Sequence, residues 1–207
     1  MAVDTRAMTL ADAVRPRAKS LLWDAVLVVA FGTLMGLVAQ ISIPLPFTPV
    51  PITGQTFGVL LTGATLGSRR ACAAMLVYLA EGLGGLPVFA LGHSGPAAFL
   101  APTGGYLLSF PFAAFAVGFL AERAFDCTFW RAVVAMVVGD VIIFAIGLPW
   151  LGHFVGIGKA VPLGLTPFIP GEIVKLLVAA AVLPSAWALV RRTTPPTFRD
   201  GGPGGTR

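Results

Sequence analysis

The sequence predicts an all-α integral membrane protein that crosses the bilayer six times and leaves both termini in the cytoplasm. Three observations carry that reading. The 207 residues are 57% hydrophobic and only 11% charged, where soluble domains are about one-quarter charged, and the mean hydropathy is +0.88. The apolar residues fall into runs of near-bilayer length, separated by proline-rich, glycine-rich or charged stretches. Twelve of the fourteen Lys and Arg residues then collect on one side of the resulting topology.

A bilayer core of about 30 Å needs about 20 apolar residues when a helix crosses it. The run from Trp23 to Ile43 meets that length and stops at Pro44, Pro46, Pro49 and Pro51, because proline removes a helical donor and biases its predecessor to extended geometry. A second run covers Ile52 to Gly67, the pair Arg69 and Arg70 interrupts it, and a third covers Ala71 to about Leu83. Gly84 to Pro102, with His93 and no Lys or Arg, reads as a long apolar loop pressed against protein, since lipid-exposed irregular backbone is too costly. The fourth span runs from about Thr103 to Ala121 and the charged stretch Glu122 to Arg131 turns the chain. The fifth span ends near Leu151 and the sixth begins within Pro167 to Gly171. The organisation is then a cytoplasmic N-terminal segment (1–22), a six-helix transmembrane domain (23–190) and a disordered cytoplasmic tail (191–207).

Positive residues favour cytoplasmic loops. The N-terminus (Arg6, Arg15, Arg17, Lys19), the Arg69–Arg70 pair, Arg123 and Arg131, and the C-terminus share one side; Lys159 alone lies on the other, and Lys175 is inside a span. An even number of spans follows, and loops 44–54, 84–102 and 152–168 become external. The long polar lead before the first apolar run differs from a cleaved signal peptide, so that run stays as an anchor.

Several functions drop out. The net charge of +5 forms no stripe with interleaved aromatics, which argues against nucleic acid. Cys72 and Cys127 fit no disulfide framework or zinc pattern. Gly152 to Ala160 looks like a phosphate loop but spaces Gly152 and Gly158 one residue too far and follows Lys159 with Ala160. Gly-x-Ser-x-Gly, His-Glu-x-x-His and paired catalytic histidines are absent. No catalytic site and no bound cofactor or metal is expected; energy for transport would come from a partner or a coupled ion.

Ionisable residues inside spans are costly and point to function or to interhelical hydrogen bonds. Glu172 and Lys175, spaced i, i+3, share a face in the first turns of the sixth helix, where the helix amino terminus favours an anionic ligand group beside the ammonium. The alternative is a self-satisfying pair with Lys175 snorkelling outward. Asp140 lies near the bilayer centre as a proton or substrate site or as a carboxyl bonded to a neighbouring helix, and Glu81 is either a structural group or a face of the external cavity. Thr53 and Gln55 offer a hydroxyl and an amide beside the stiff first loop, and Phe89 and Tyr106 offer rings that stack or pack. Gly32-xxx-Gly36 and Gly63-xxx-Gly67 permit close helix approach, within the chain or to a partner.

Five strings, in order, resemble the BioY family, the biotin-specific substrate-binding components of energy-coupling-factor (ECF) transporters. They are Pro49-Val-Pro-Ile-Thr-Gly-Gln-Thr-Phe57, Gly85-Leu-Pro-Val-Phe-Ala90, Ala101-Pro-Thr-Gly-Gly-Tyr106, Gly147-Leu-Pro-Trp-Leu151 and Pro167-Phe-Ile-Pro-Gly-Glu-Ile-Val-Lys175. The resemblance covers about residues 23–190. It implies the S-component fold, in a prokaryotic cell membrane, with biotin as transported ligand held externally under loops 1 and 3. It also implies as partners a transmembrane coupling protein and two cytoplasmic ATPases, with ATP hydrolysis only in those partners. The family's acidic residue and lysine map onto Glu172 and Lys175, and its loop 1 Thr and Gln onto Thr53 and Gln55. Gly92, within Phe89 to His93, falls where family loops present small polar groups or backbone. Family members more often carry Asp at the position of Glu172, and an Ala-xxx-Ala docking pattern where this chain has Gly32-xxx-Gly36. Biotin's ureido ring suits a carboxylate and an amide and its anionic tail suits a lysine or helix amino terminus, so either end is compatible with Lys175. Two alternatives stay open: an S component for another vitamin, and a stand-alone proton-coupled carrier using Asp140 or Glu81.

Overall fold

A computed structural model of the chain describes residues 9–14 and 20–193. The cationic residues Arg6, Arg15, Arg17 and Lys19 and the tail from residue 194 onward lie outside the described residues. The architecture is helical: α1 (Leu10–Val14), α2 (Leu21–Ala39), α3 (Gln55–Leu66), α4 (Ser68–Leu83), α5 (Pro96–Phe99), α6 (Gly104–Ala121), α7 (Phe129–Val155), α8 (Ile157–Gly164) and α9 (Ile169–Thr193). A short antiparallel ladder joins β1 (Ser42–Ile43) to β2 (Ile52–Thr53), pairing Ser42 with Thr53 and Ile43 with Ile52.

Among the described residues, four helices are long and apolar enough to cross a membrane: α2, α6, α7 and the Ile169–Val190 part of α9. The other two expected spans are shorter. Helix α3 has 12 residues and α4 has 16, about 18 and about 24 Å at 1.5 Å per residue. They meet at Gly67, whose φ of +82° is a left-handed geometry that glycine takes without a Cβ penalty. The chain reverses there, because Gln55 at the start of α3 hydrogen-bonds Tyr78 near the end of α4. Arg69 and Arg70 therefore lie in the first turn of α4 and not in a loop.

Other boundaries shift for local reasons. Helix α2 ends at Ala39, and Ser42 and Ile43 become strand because they pair with the residues leaving the proline loop. Helix α7 continues past Leu151 to Val155 and carries His153 in its last turn. Of the expected 152–168 loop, residues 152–155 complete α7 and Ile157–Gly164 form α8. The N-terminal lead contains α1, whose Leu10 and Ala13 are buried against residues of α3 and α9. Thr9 receives the Asp12 backbone N–H as an N-cap, and Asp12 bonds Arg70 at 2.7 Å while Asp24 takes the other guanidinium nitrogen at 2.9 Å.

Helix α6 is the central helix, packing on α3, α4 and α7, whereas α2 lies at the margin on α4 and α3. One apolar core joins α2, α4, α6 and the 84–102 segment through Met35, Tyr78, Phe89 and Phe110; a second joins α1, α3, α6, α7 and α9 through Leu60, Val117, Met136 and Leu183. The Gly32-xxx-Gly36 pattern is used inside the chain. A Cβ at Gly32 would meet the Ala74 carbonyl and Val77 of α4, and one at Gly36 would meet Val88. Gly63 faces Ala114 and Val117 of α6 in the same way. Of the two uses the sequence left open for these patterns, the structure shows the one within the chain.

Candidate binding site

The loops at one end of the bundle are held over the helices by side-chain to backbone hydrogen bonds. In the proline loop, buried Thr48 donates to the Leu163 carbonyl of α8 at 2.8 Å and accepts the Val50 N–H. Gln40, just past α2, donates to the Phe89 carbonyl at 3.2 Å, and Trp150 of α7 donates to the Ala101 carbonyl at 2.9 Å. Irregular backbone thus has its polar groups answered by protein, as membrane depth demands.

Beneath these loops lies a cavity of about 350 Å³, within the range of small-molecule sites. Its wall comes from the proline loop (Val50, Pro51, Thr53), the start of α3 (Gln55, Thr56), the 89–103 segment, α6 (Tyr106, Leu107, Phe110), α7 (Ile143, Phe144) and the start of α9 (Phe168, Glu172). Aromatic rings dominate the apolar part. Phe89 meets Tyr78 and Phe99 edge-on at 5.4 Å, and Tyr106 meets Phe144 at 6.0 Å. Two glycines make room for them: a Cβ at Gly82 would overlap the Phe89 ring and one at Gly147 the Tyr106 ring. The Tyr106 hydroxyl donates its one proton to the Gly164 carbonyl at 3.1 Å, so toward a ligand it can only accept.

The polar part converges from α3 and α9. Glu172, in the first turn of α9, lines the cavity and is only 8% exposed. Lys175 stands one turn further on and does not line it. The ammonium has three donors, and all three are used: the Thr53 carbonyl at 2.6 Å, the Thr56 hydroxyl at 3.1 Å and Glu172 Oε1 at 2.8 Å. The Thr56 hydroxyl in turn donates to the Glu172 carboxylate, 2.9 Å from Oε2. The cavity therefore meets a carboxylate backed by a lysine, and its polar floor offers acceptors more than positive charge.

Gln55 has a fixed orientation. The Tyr78 hydroxyl spends its one proton on the Val88 carbonyl at 3.2 Å, so it accepts from Gln55 Nε2 at 2.7 Å. Gln55 Oε1 and the second amide N–H are left without protein partners among the described residues. Thr53 Oγ1 accepts the Gln55 backbone N–H at 3.3 Å and keeps its own proton available. Acceptors on Glu172 and Gln55 beside donors on Gln55 and Thr53 suit a planar ligand group with N–H donors flanking a carbonyl.

Of the residues singled out in the sequence, Thr53, Gln55, Phe89, Tyr106 and Glu172 line the cavity. Three do not. Lys175 supports Glu172 from behind, Gly92 sits between lining residues Leu91 and His93 without joining the wall, and Asp140 lies on α7 one turn before Ile143. Asp140 is 8% exposed and its Oδ1 has no hydrogen-bond partner among the described residues. Glu81 is also off the cavity; it accepts from Thr33 of α2 at 2.8 Å across the α2–α4 contact. Sequence reasoning passed over Thr56 and Tyr78. Thr56 follows Gln55 in the same motif, and its i, i+3 relation to Thr53 was the available signal; nothing local marked Tyr78, whose role depends on the α3–α4 reversal.

The chain matches the BioY family over residues 8–192. It is 39% identical over 171 residues to the biotin transporter BioY of Rhizobium etli, covering 76% of this chain and 89% of that protein. It is likewise 39% identical over 156 residues to the probable biotin transporter BioY of Pyrococcus horikoshii, covering 75% and 91%. Among solved structures it resembles the S-component for biotin from an ECF-type ABC transporter, with a TM-score of 0.72 and 26% identity over 81% of this chain and 92% of that one.

Proposed function

The chain belongs to the BioY family, and from that membership and the cavity we propose that it binds biotin and serves biotin uptake as the S component of an ECF-type transporter. It is a multi-pass protein of the cell membrane, and a transport subunit rather than an enzyme. The observation that carries the reading is the paired floor of the cavity, Glu172 with Gln55, beneath an aromatic wall of the right size.

The ureido ring of biotin carries two N–H donors and one carbonyl. Glu172 and Gln55 Oε1 receive the N–H groups, and Thr53 or the free Gln55 N–H answers the carbonyl. Lys175 neutralises Glu172 and fixes it through Thr56, so its contribution is support for the floor. The apolar bicycle packs against Phe89 and Tyr106. This orientation follows from donor counting: Lys175 has no N–H to give a carboxylate tail without losing a bond it already makes. Asp140 and Gly92 act, in this reading, outside direct contact.

The finer topology is part of the same proposal. The α3–α4 hairpin supplies two short crossings, giving six with both termini cytoplasmic, and the cavity faces outward beneath loops 44–54 and 84–102. The bundle of residues 23–190 is the substrate-binding domain, flanked by cytoplasmic segments 1–22 and 191–207. A transmembrane coupling protein and two cytoplasmic ATPases supply the energy, which suits the absence of a phosphate loop in the sequence. Uptake of labelled biotin into cells lacking their own biotin transporter tests this. Uptake that requires co-expressed coupling subunits supports the S-component role; uptake abolished by Asp140→Asn without any partner supports the carrier instead.

A further inference from the structure

With its ureido ring on the Glu172–Gln55 floor, biotin has a carboxylate still to be bound, and one residue at the mouth of the cavity answers it. His93 lines the cavity while remaining exposed, so it stands where the cavity opens, whereas buried Glu172 stands at its floor. The turn that carries His93 is rigidly built. Phe89 N–H donates to the His93 carbonyl at 3.1 Å and the His93 N–H donates to the Ala90 carbonyl at 3.3 Å. Leu91 and Gly92 take consecutive left-handed conformations, φ +60° and +72°, and the Phe89 ring anchors the turn at 2% exposure.

The ring has a defined hydrogen-bonding state. Nδ1 lies 2.8 Å from the Ala90 carbonyl oxygen, which only accepts, so Nδ1 carries the proton. In a neutral imidazole Nε2 is then a bare acceptor and repels a carboxylate; as imidazolium it is a donor. Among the described residues no Lys or Arg lines the cavity. The hydroxyls of Ser94 and Thr103 also line the wall but carry no charge, and the other ionisable groups around the cavity are accounted for. Loop 44–54 brings no ionisable side chain. Tyr106 of α6 is bonded to Gly164. Asp140 of α7, Glu81 of α4 and Lys159 of α8 are off the wall. On α9, Glu172 is paired to Lys175. Among the described residues, His93 is the one wall residue that becomes a cation.

We propose that His93 takes up a proton from solvent and binds the carboxylate of biotin at the cavity mouth, so that the ligand lies with its ureido ring inward and binds together with a proton. The inference rests on biotin being the ligand.

Calorimetric titration of biotin and of biotin methyl ester into the purified protein, at about pH 5.5 and about pH 8 in buffers of different ionisation enthalpy, tests it. Biotin is expected to bind about fivefold tighter at the lower pH, the scale of an exposed ion pair, with net proton uptake, while the ester shows neither effect. His93→Ala removes both for biotin, and His93→Lys keeps tight binding without the pH dependence. Equal pH profiles for acid and ester, or a His93→Ala variant indistinguishable from wild type, overturn the role of His93 and leave biotin binding intact. Folded wild-type protein that binds neither ligand overturns the underlying reading as well.

Discussion

Lys175 stands one helical turn behind Glu172, 2.8 Å from its carboxylate, and only Glu172 reaches the cavity. The two share one motif and one helix face in the sequence, three residues apart; the structure separates them into a wall residue and its support. Removing one partner of a buried pair leaves an uncompensated charge that costs about 3–5 kcal/mol.

Glu172→Ala and Lys175→Ala are each expected to weaken biotin binding by at least tenfold, about 1.4 kcal/mol, and to lower the thermal midpoint in detergent. Glu172→Gln with Lys175→Met removes both charges and is expected to recover the midpoint without recovering affinity. Calorimetry beside thermal melts on the three variants checks this.

Tyr78 touches the ligand site only through Gln55. Tyr78→Phe frees the Gln55 amide to rotate and is expected to weaken biotin binding about fivefold, the worth of about one hydrogen bond. Gln55→Ala is expected to cost more, because it also removes the groups facing the ligand. Affinity for a dethiobiotin control, which keeps the ureido ring, is expected to fall in parallel.

How much of this was legible in the sequence depended on how local the cause was. The long apolar runs and the prolines of loop 44–54 marked α2, α6, α7 and α9, because length and helix breaking are properties of a contiguous segment. The shortness of α3 and the break after it were visible too, in the run Ile52 to Gly67 and the Arg69–Arg70 pair; what was hidden is that Gly67 alone makes the turn, so that the arginines open α4. Glu172 and Gln55 were visible as polar groups in recognisable strings. That Lys175 faces away, that Tyr78 orients Gln55 and that Gly32 packs on α4 all depend on contacts between distant segments, which spacing alone does not encode.

The glycines at helix contacts give a third prediction. Gly32→Ile places a branched side chain against the Ala74 carbonyl and Val77 and is expected to destabilise the isolated protein by about 1–3 kcal/mol, as overpacking does. Were α2 instead a free docking face, the variant would keep its melting temperature and lose only partner-dependent uptake. Gly82→Ala is expected to lower both stability and affinity, since it displaces Phe89 from the wall.

The α1 strap gives a pH prediction. Partial burial alone would raise the Asp12 carboxyl, but hydrogen bonds from Arg70 and Thr9 and the Arg70 charge outweigh it and hold the group below its ordinary value. An unfolded aspartate titrates at about 3.9, so the stabilisation is fully present above that pH and is lost as pH falls through the lower folded value. Thermal melts of wild type and Asp12→Asn are expected to differ at neutral pH and to converge at the acid end.

The most direct test of the site is calorimetric titration of biotin into the detergent-purified chain, with riboflavin and thiamine as controls. The account predicts tight one-to-one binding of biotin alone, lost on Glu172→Ala. Folded protein that ignores biotin, or that binds it equally well without Glu172, would contradict it.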